Sequence, residues 1–281
     1  MTSLNDQARD ILRRNDRGGY TVPTDGLYPY QWNWDSVFAA WGFATFDLPR
    51  AWLELETLMA AQWSDGMVPH IIFHQSDPGY YPGPDVWATD QTPPTSGISQ
   101  PPVAAILTRL IWEQDLDAGQ SHLAALYPKL LAWHRWWHDM RCTRGPAAIT
   151  HPWESGRDNC PDWDIGMVGV DGSKVGDYTR RDTGHVDPSM RPSKAEYDRY
   201  IAMVQFGVQA GWDQAEIVES GPFLMADPGL TFVLLRAHED LAVLGRALGE
   251  DVTEIETWAI ELRNALPLIW NPDLRAYDAK N

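Results

Sequence analysis

The chain is short of basic residues: 22 lysines and arginines stand against 39 aspartates and glutamates in 281 residues, a formal net charge of −17. Phosphate backbones and anionic lipid surfaces repel such a chain, so neither nucleic acid nor a membrane is an expected partner. Cysteine is nearly absent. Cys142 and Cys160 are too few for a disulfide framework and predict a reducing compartment. No run of about 18 apolar residues occurs, so no transmembrane helix is expected. The opening MTSLNDQARDILRRND has no apolar core of a signal peptide, and the expected location is cytoplasmic. There is no G-x-G-x-x-G, no Walker A loop and no G-x-S-x-G elbow, so nothing points to a nucleotide or other cofactor. His134 and His138 are four residues apart, as are His70 and His74. Neither pair has a third ligand in a metal-site pattern, and no metal is expected.

Tryptophan, by contrast, is abundant. Fifteen occur, beside ten tyrosines and seven phenylalanines. Such rings either fill a helical core or line a cleft where they stack on the apolar faces of sugars. Composition does not separate the two readings. Placement does, because several of the tryptophans fall in loops beside carboxylates.

Apolar residues recur at helical spacing over 4–14, 35–46, 51–63, 102–115, 122–141, 193–212, 228–249 and 251–265. Ser193 and Glu196 form a capping-box pattern. No alternating strand is expected before residue 266, and LRAYD near the end reads as the start of a strand or hairpin. Short connections alternate with long ones. Residues 64–101 hold seven prolines and four glycines, and 142–192 form a second long irregular stretch. Long loops inside a compact domain are usually functional. The pattern predicts an all-α fold, a single domain of helical hairpins packed side by side as a toroid, with the long loops gathered into a cleft on one face. Eight or nine helices are expected where a closed six-pair toroid needs twelve, so the toroid reads as lacking its last third. Apolar helix faces left open in that way predict poor solubility for the chain alone. A homo-oligomer is left open.

Four clusters carry chemistry. In Tyr28-Pro29-Tyr30-Gln31-Trp32-Asn33-Trp34-Asp35, Asp35 can accept two hydroxyl hydrogen bonds and the indoles offer stacking faces. Asp35 also reads as the N-cap of a helix beginning at Ser36. Gln100 precedes a proline at a helix start, where its amide can donate and accept. Trp153, Glu154, Gly156 and Asp158 crowd one loop. A carboxyl there can have its pKa raised by Trp153 or Trp163, as a general acid requires; the competing reading is an Asx-turn at Asp158-Asn159. Arg191, held between two prolines, suits an anion on a ligand, or else an ordinary salt bridge.

The stretches LYPYQWNWDSVF, AQWSDGMVPHIIF, GYYPGP, SGISQPPV, HPWESGRDNCP and DPSMRPSKAEYDRY, spanning 27–200, resemble the glucosylglycerate and mannosylglycerate hydrolases among the family-63 glycoside hydrolases. The resemblance implies a six-hairpin toroid, written (α/α)6, and inverting hydrolysis of the α-glycosidic bond of a small glycoside, with Asp158 as general acid. It puts Tyr28, Trp32, Trp34, Asp35 and Gln100 in the sugar subsite and Tyr80 on a closing loop. Arg191 and Tyr197 would hold a glycerate carboxylate, and Asn33, Trp153 and Gly156 belong to the same substrate-binding stretches. Arg157 and Cys160 stand where an uncharged residue and a serine are expected. The general base would be a Glu in a segment like REYWRGPVW, which this sequence does not contain. Glu154 and Asp35 are the substitutes at hand, and neither is expected to serve. A non-catalytic sugar-binding chain is the alternative, and an isomerase or lyase working through histidines a third reading.

Overall fold

A computed structural model of the chain describes residues 3–281. Helix α1 (Leu4–Asn15) opens on a capping box between Ser3 and Asp6. Strand β1 (Gln31–Trp32) runs directly into α2 (Asn33–Ala44), and α3 (Leu48–Ala60) follows, N-capped by Asp47. The first long loop carries β2 (Ile71–Ile72) and the single turn α4 (Pro84–Trp87). Next come α5 (Ala104–Trp112) and α6 (Leu116–Arg141), the latter capped by Asp115. The second long loop holds β3 (Ala148–Ile149), a 3-10 turn at Pro152–Ser155, a second at Pro161–Trp163, and the short helices α7 (Asp164–Met167) and α8 (Asp182–His185). The remainder is α9 (Lys194–Gln209), α10 (Gln214–Ser220), β4 (Met225–Ala226), α11 (Pro228–Leu248), α12 (Thr253–Ala265), β5 (Trp270–Asn271) and β6 (Ala276–Tyr277).

The main helices pack as antiparallel hairpins. The α2–α3, α5–α6 and α11–α12 pairs are each in contact, and α5 lies between α2 and α11. The apolar faces meet in a core that buries Leu55, Leu58, Leu130, Leu234 and Leu241 together with Trp52, Trp133, Trp136 and Trp137. Most of the tryptophan is therefore core, and a minority lines the cleft described below. No helix among the described residues is long and apolar enough to cross a membrane.

Two details depart from the sequence reading. Strands do occur before residue 266: β1 pairs antiparallel with β2, and β3 with β4. At two residues each they are too short to show alternation, and they join residues 41 and 78 positions apart in the register Gln31↔Ile72 and Ala148↔Ala226. Helix α2 begins at Asn33, so its N-cap is Trp32 and Asp35 sits in the first turn instead of capping it. The expected terminal hairpin is present as β5–β6.

Candidate active site

The site is assembled where the loops after α3 and α6 fold over the N-terminus of α2. The β1–β2 ladder sets the approach, and the Asn33 amide donates to the His70 carbonyl at 3.0 Å. The Asn33 side chain is fully buried and donates to the Val68 and Pro69 carbonyls. Asn33 therefore pins the loop, and its side chain is not part of the cleft lining. One residue on, the backbone amide of Trp34 donates to Oε1 of Gln100 at 3.2 Å. That bond fixes the Gln100 carboxamide, whose nitrogen is left without a partner among the described residues.

The Asp158 loop is shaped by the turn before it. His151 caps the Pro152–Ser155 turn, and Gly156 ends it in the left-handed region at φ +69°. Only glycine fits there, for a second reason too: a Cβ at Gly156 would lie 2.6 Å from Cζ2 of Trp34. The Arg157 amide donates to Ser155 Oγ, and the Tyr200 hydroxyl donates to the Asp158 carbonyl at 3.0 Å. Glu154, although in the same loop, is fully buried. It accepts from Arg141, from the Thr150 amide and hydroxyl, and from the Ser99 amide. It ties three segments together and has no face to a ligand.

Tyr28, Trp32, His70 and Asp158 line two adjoining compartments of one cleft. The first also contains Trp34, Asp35, Gln100 and Gly156. The second contains Tyr80, Trp153, Arg181, Asp182, Arg191 and Tyr197. Every expected site residue except Asn33 thus borders the cleft. Trp163 does not border it. Its indole lies behind the loop and donates to the Arg157 carbonyl at 3.0 Å, which leaves Trp153 as the apolar wall on the cleft side.

The electrostatics of the two compartments differ. Burial among protein atoms pushes the carboxyls of Asp35 and Asp158 each up to about 6. For Asp158, Arg191 pulls the other way and Asp35 adds to the rise. The side chain of Asp158 still meets solvent through the cleft mouth; crowding by the surrounding walls, not complete dehydration, raises it. In the second compartment Arg191 donates through Nε to Asp182 at 2.6 Å and through Nη2 to the Tyr28 hydroxyl at 3.3 Å. Asp182 also takes a bidentate pair from Arg180, whose guanidinium lies 4.0 Å from the Tyr197 ring centroid. Arg181 pairs with Asp77. Of the three guanidinium groups, Arg191 uses Nε and Nη2 and has Nη1 without a partner among the described residues, a donor available to an anion.

His70 was undervalued by the sequence reading, where it counted only as half of a metal-like pair. It is 5% exposed, lies between Trp32, Trp87 and Trp153, and borders both compartments. Burial drives its pKa down to about 3, so it is a neutral imidazole that can give or take one hydrogen bond. Its partner by spacing, His74, bonds Gln31 instead. Likewise His134 meets His238 inside the core, while His138 lies between Asp139 and Glu261 at the surface.

The model of the mannosylglycerate hydrolase MGH1-like glycoside hydrolase domain matches residues 28–281. The chain is 44% identical over 280 residues to mannosylglycerate hydrolase MGH1 of Selaginella moellendorffii, covering 97% of this chain and 57% of that protein. It is 37% identical over 282 residues to a glucosylglycerate hydrolase of Mycolicibacterium hassiacum, covering 93% and 63%. A crystal structure of the GH63 mannosylglycerate hydrolase from Thermus thermophilus, in complex with Tris and D-glycerate, superposes with a TM-score of 0.94. It is 43% identical, and the match covers 99% of this chain and 68% of that one. The chain therefore spans about three-fifths of the length of these two sequence relatives.

Proposed function

The chain belongs to the MGH1-like glycoside hydrolases, and we propose that it carries the general-acid side of an inverting α-glycosidase for a small glycoside with an anionic aglycone, mannosylglycerate or glucosylglycerate. The carrying observation is the position of Asp158 on the boundary of the two compartments. A carboxylate and a fixed carboxamide, Asp35 and Gln100, lie on one side, and the guanidinium of Arg191 on the other. A glycoside with its sugar in the first compartment and its acid group in the second has its glycosidic oxygen at Asp158.

In this reading the sugar stacks on Trp34 and Trp32, its hydroxyls bond Asp35, Gln100 and His70, and the glycerate carboxylate meets Arg191 and Tyr197. Tyr80 closes the second compartment against the aglycone. The carboxyl of Asp158, raised to about 6, keeps its proton to higher pH than an ordinary aspartate and delivers it to the leaving oxygen as the bond to the anomeric carbon breaks. Inversion requires a second carboxylate about 6.5–9.5 Å away to activate water. Glu154 is locked on Arg141, and Asp35 is committed to hydroxyls; the base is expected from a Glu-containing segment of the kind the resemblance implies. The hairpins α2–α3, α5–α6 and α11–α12, laid side by side, support a toroid of which they are three inner–outer pairs. A sugar-binding role without turnover differs only in lacking that base.

Arg191→Ala tests the substrate class. Losing a charge-assisted bond is worth about 1.5–3 kcal/mol, so binding of the glycerate glycoside weakens roughly 10- to 150-fold, while a neutral glycoside of the same sugar is little affected. Equal losses on both would remove the anion-anchor assignment.

A further inference from the structure

We infer that Arg157 is a positioning residue for the general acid: it clamps the Asp158 loop from behind onto the N-terminus of α11. The inference rests on the reading of Asp158 given above. Successive residues of this loop face opposite ways. Asp158 borders the cleft, whereas the Arg157 guanidinium reaches away from it and donates through Nη2 to Asp227 at 2.7 Å and through Nη1 to Asp162 at 2.8 Å. Asp227 is fully buried and is the N-cap of α11, where the same Oδ1 also accepts from the Gly229 amide. Its backbone is held in turn, its amide bonding the Ala147 carbonyl and its carbonyl accepting from Thr231. The anchor point is therefore rigid.

The clamp closes a small circuit. Asp162 lies on the turn just after the loop, so its pair with Arg157 bridges the two ends of residues 157–162. The Arg157 carbonyl accepts from the Cys160 amide at 2.9 Å and from the Trp163 indole at 3.0 Å, and the guanidinium lies 4.8 Å from the Trp163 ring centroid. Nη1 also lies 3.5 Å from Cys160 Sγ. The two positions at which this sequence departs from the expected pattern, 157 and 160, are thus in contact. On the cleft side the loop has one further tie, from Tyr200 to the Asp158 carbonyl and the Asn159 side chain. Removing the clamp leaves the carboxyl of Asp158 in place chemically but free to wander, and a displacement of about 1 Å in a catalytic group can cost on the order of 100-fold in rate.

The test separates acid positioning from general damage through the leaving group. A glycerate glycoside needs a proton on its leaving oxygen; the α-glycosyl fluoride of the same sugar departs as fluoride with little help. The variants are Arg157→Met and the double variant Arg157→Met/Asp227→Asn, which leaves no unpaired buried charge. In protein that turns the glycoside over, both should lower kcat for the glycerate glycoside about 10- to 100-fold, hold KM within about twofold, and spare the fluoride. Equal losses on both substrates, or no loss, would overturn the clamp. Asp158→Asn is the control for the underlying reading and should show the same selectivity; if it slows both substrates equally, the acid assignment fails. Hydrogen exchange then judges the clamp alone, as it also does if neither substrate turns over. Faster exchange at 158–163 with α11 unchanged supports it, and unchanged exchange at 158–163 overturns it.

Discussion

Replacing Gly156 with alanine should damage stability and ligand binding together, because two independent requirements for glycine coincide there. The residue has φ +69°, where an L side chain costs roughly 1–2 kcal/mol. Its Cβ would also lie 2.6 Å from Cζ2 of Trp34, against 3.4 Å for ordinary van der Waals contact. Cη2 of the same ring lies nearer still, so relief requires the indole or the loop to yield by about 1 Å, and overpacking of that order costs about 1–3 kcal/mol. Together this is about 2–5 kcal/mol, or a fall of roughly 3–9 °C in Tm for a chain of this size. The indole that must move is a wall of the first compartment, so sugar affinity should fall as well. Thermal unfolding and calorimetric titration with a glycoside read the two effects. In a Trp34→Ala background the clash is gone, and the cost of Gly156→Ala should shrink to the backbone share of about 1–2 kcal/mol. An unchanged Tm in Gly156→Ala, or an equal cost in both backgrounds, would refute the reasoning.

Two further outcomes follow from the electrostatics. Asp35 and Asp158 have folded-state pKa values near 6 against an ordinary 3.8. The folded state therefore binds protons more tightly than the unfolded one, and the stability this adds is fully present below about pH 3.8 and lost as pH rises through about 6. Asp35→Asn should accordingly raise Tm relative to the parent at pH 8 and make no such difference near pH 4; a gain that is the same at both would sink the linkage. Glu154→Gln removes the partner of Arg141 with both side chains fully buried, which should cost about 3–5 kcal/mol in denaturant unfolding; a loss below about 1 kcal/mol would mean that the network is not holding the loop.

The helices were the legible part of the sequence, for reasons that differ in strength. Helix α9 starts where Ser193 and Glu196 announce it, and α11 runs from the Pro after its Asp227 cap to Gly249 because the apolar stripe is uninterrupted between them. Helix α6 begins six residues before the expected 122, because its first turns, Leu116–Ser121, are largely exposed and carry no apolar stripe; the Asp115 cap was the available signal. The two-residue strands left no periodic trace, since what makes them is the meeting of distant loops. In the cleft, Gln100, Asp158 and Arg191 stand out as chemically conspicuous residues of their loops, and Asp35 as an acid among aromatic rings at a helix start. The burial of Asn33 was not legible, because its neighbours on both sides line the cleft while its side chain turns to the backbone of Val68 and Pro69. His70 was hidden for the opposite reason: its value comes from burial between tryptophans brought from residues 32, 87 and 153, which spacing along the chain does not reveal.

The central claim, that Asp158 stands at the glycosidic oxygen between a sugar compartment and an anion compartment, is tested most directly by a crystal structure of the Asp158→Asn chain with intact mannosylglycerate. The sugar hydroxyls should lie on Asp35 and Gln100, the glycerate carboxylate on Arg191, and the glycosidic oxygen within hydrogen-bond reach of residue 158. A ligand bound in the reverse sense, or one whose glycosidic oxygen lies out of reach of residue 158, would contradict it.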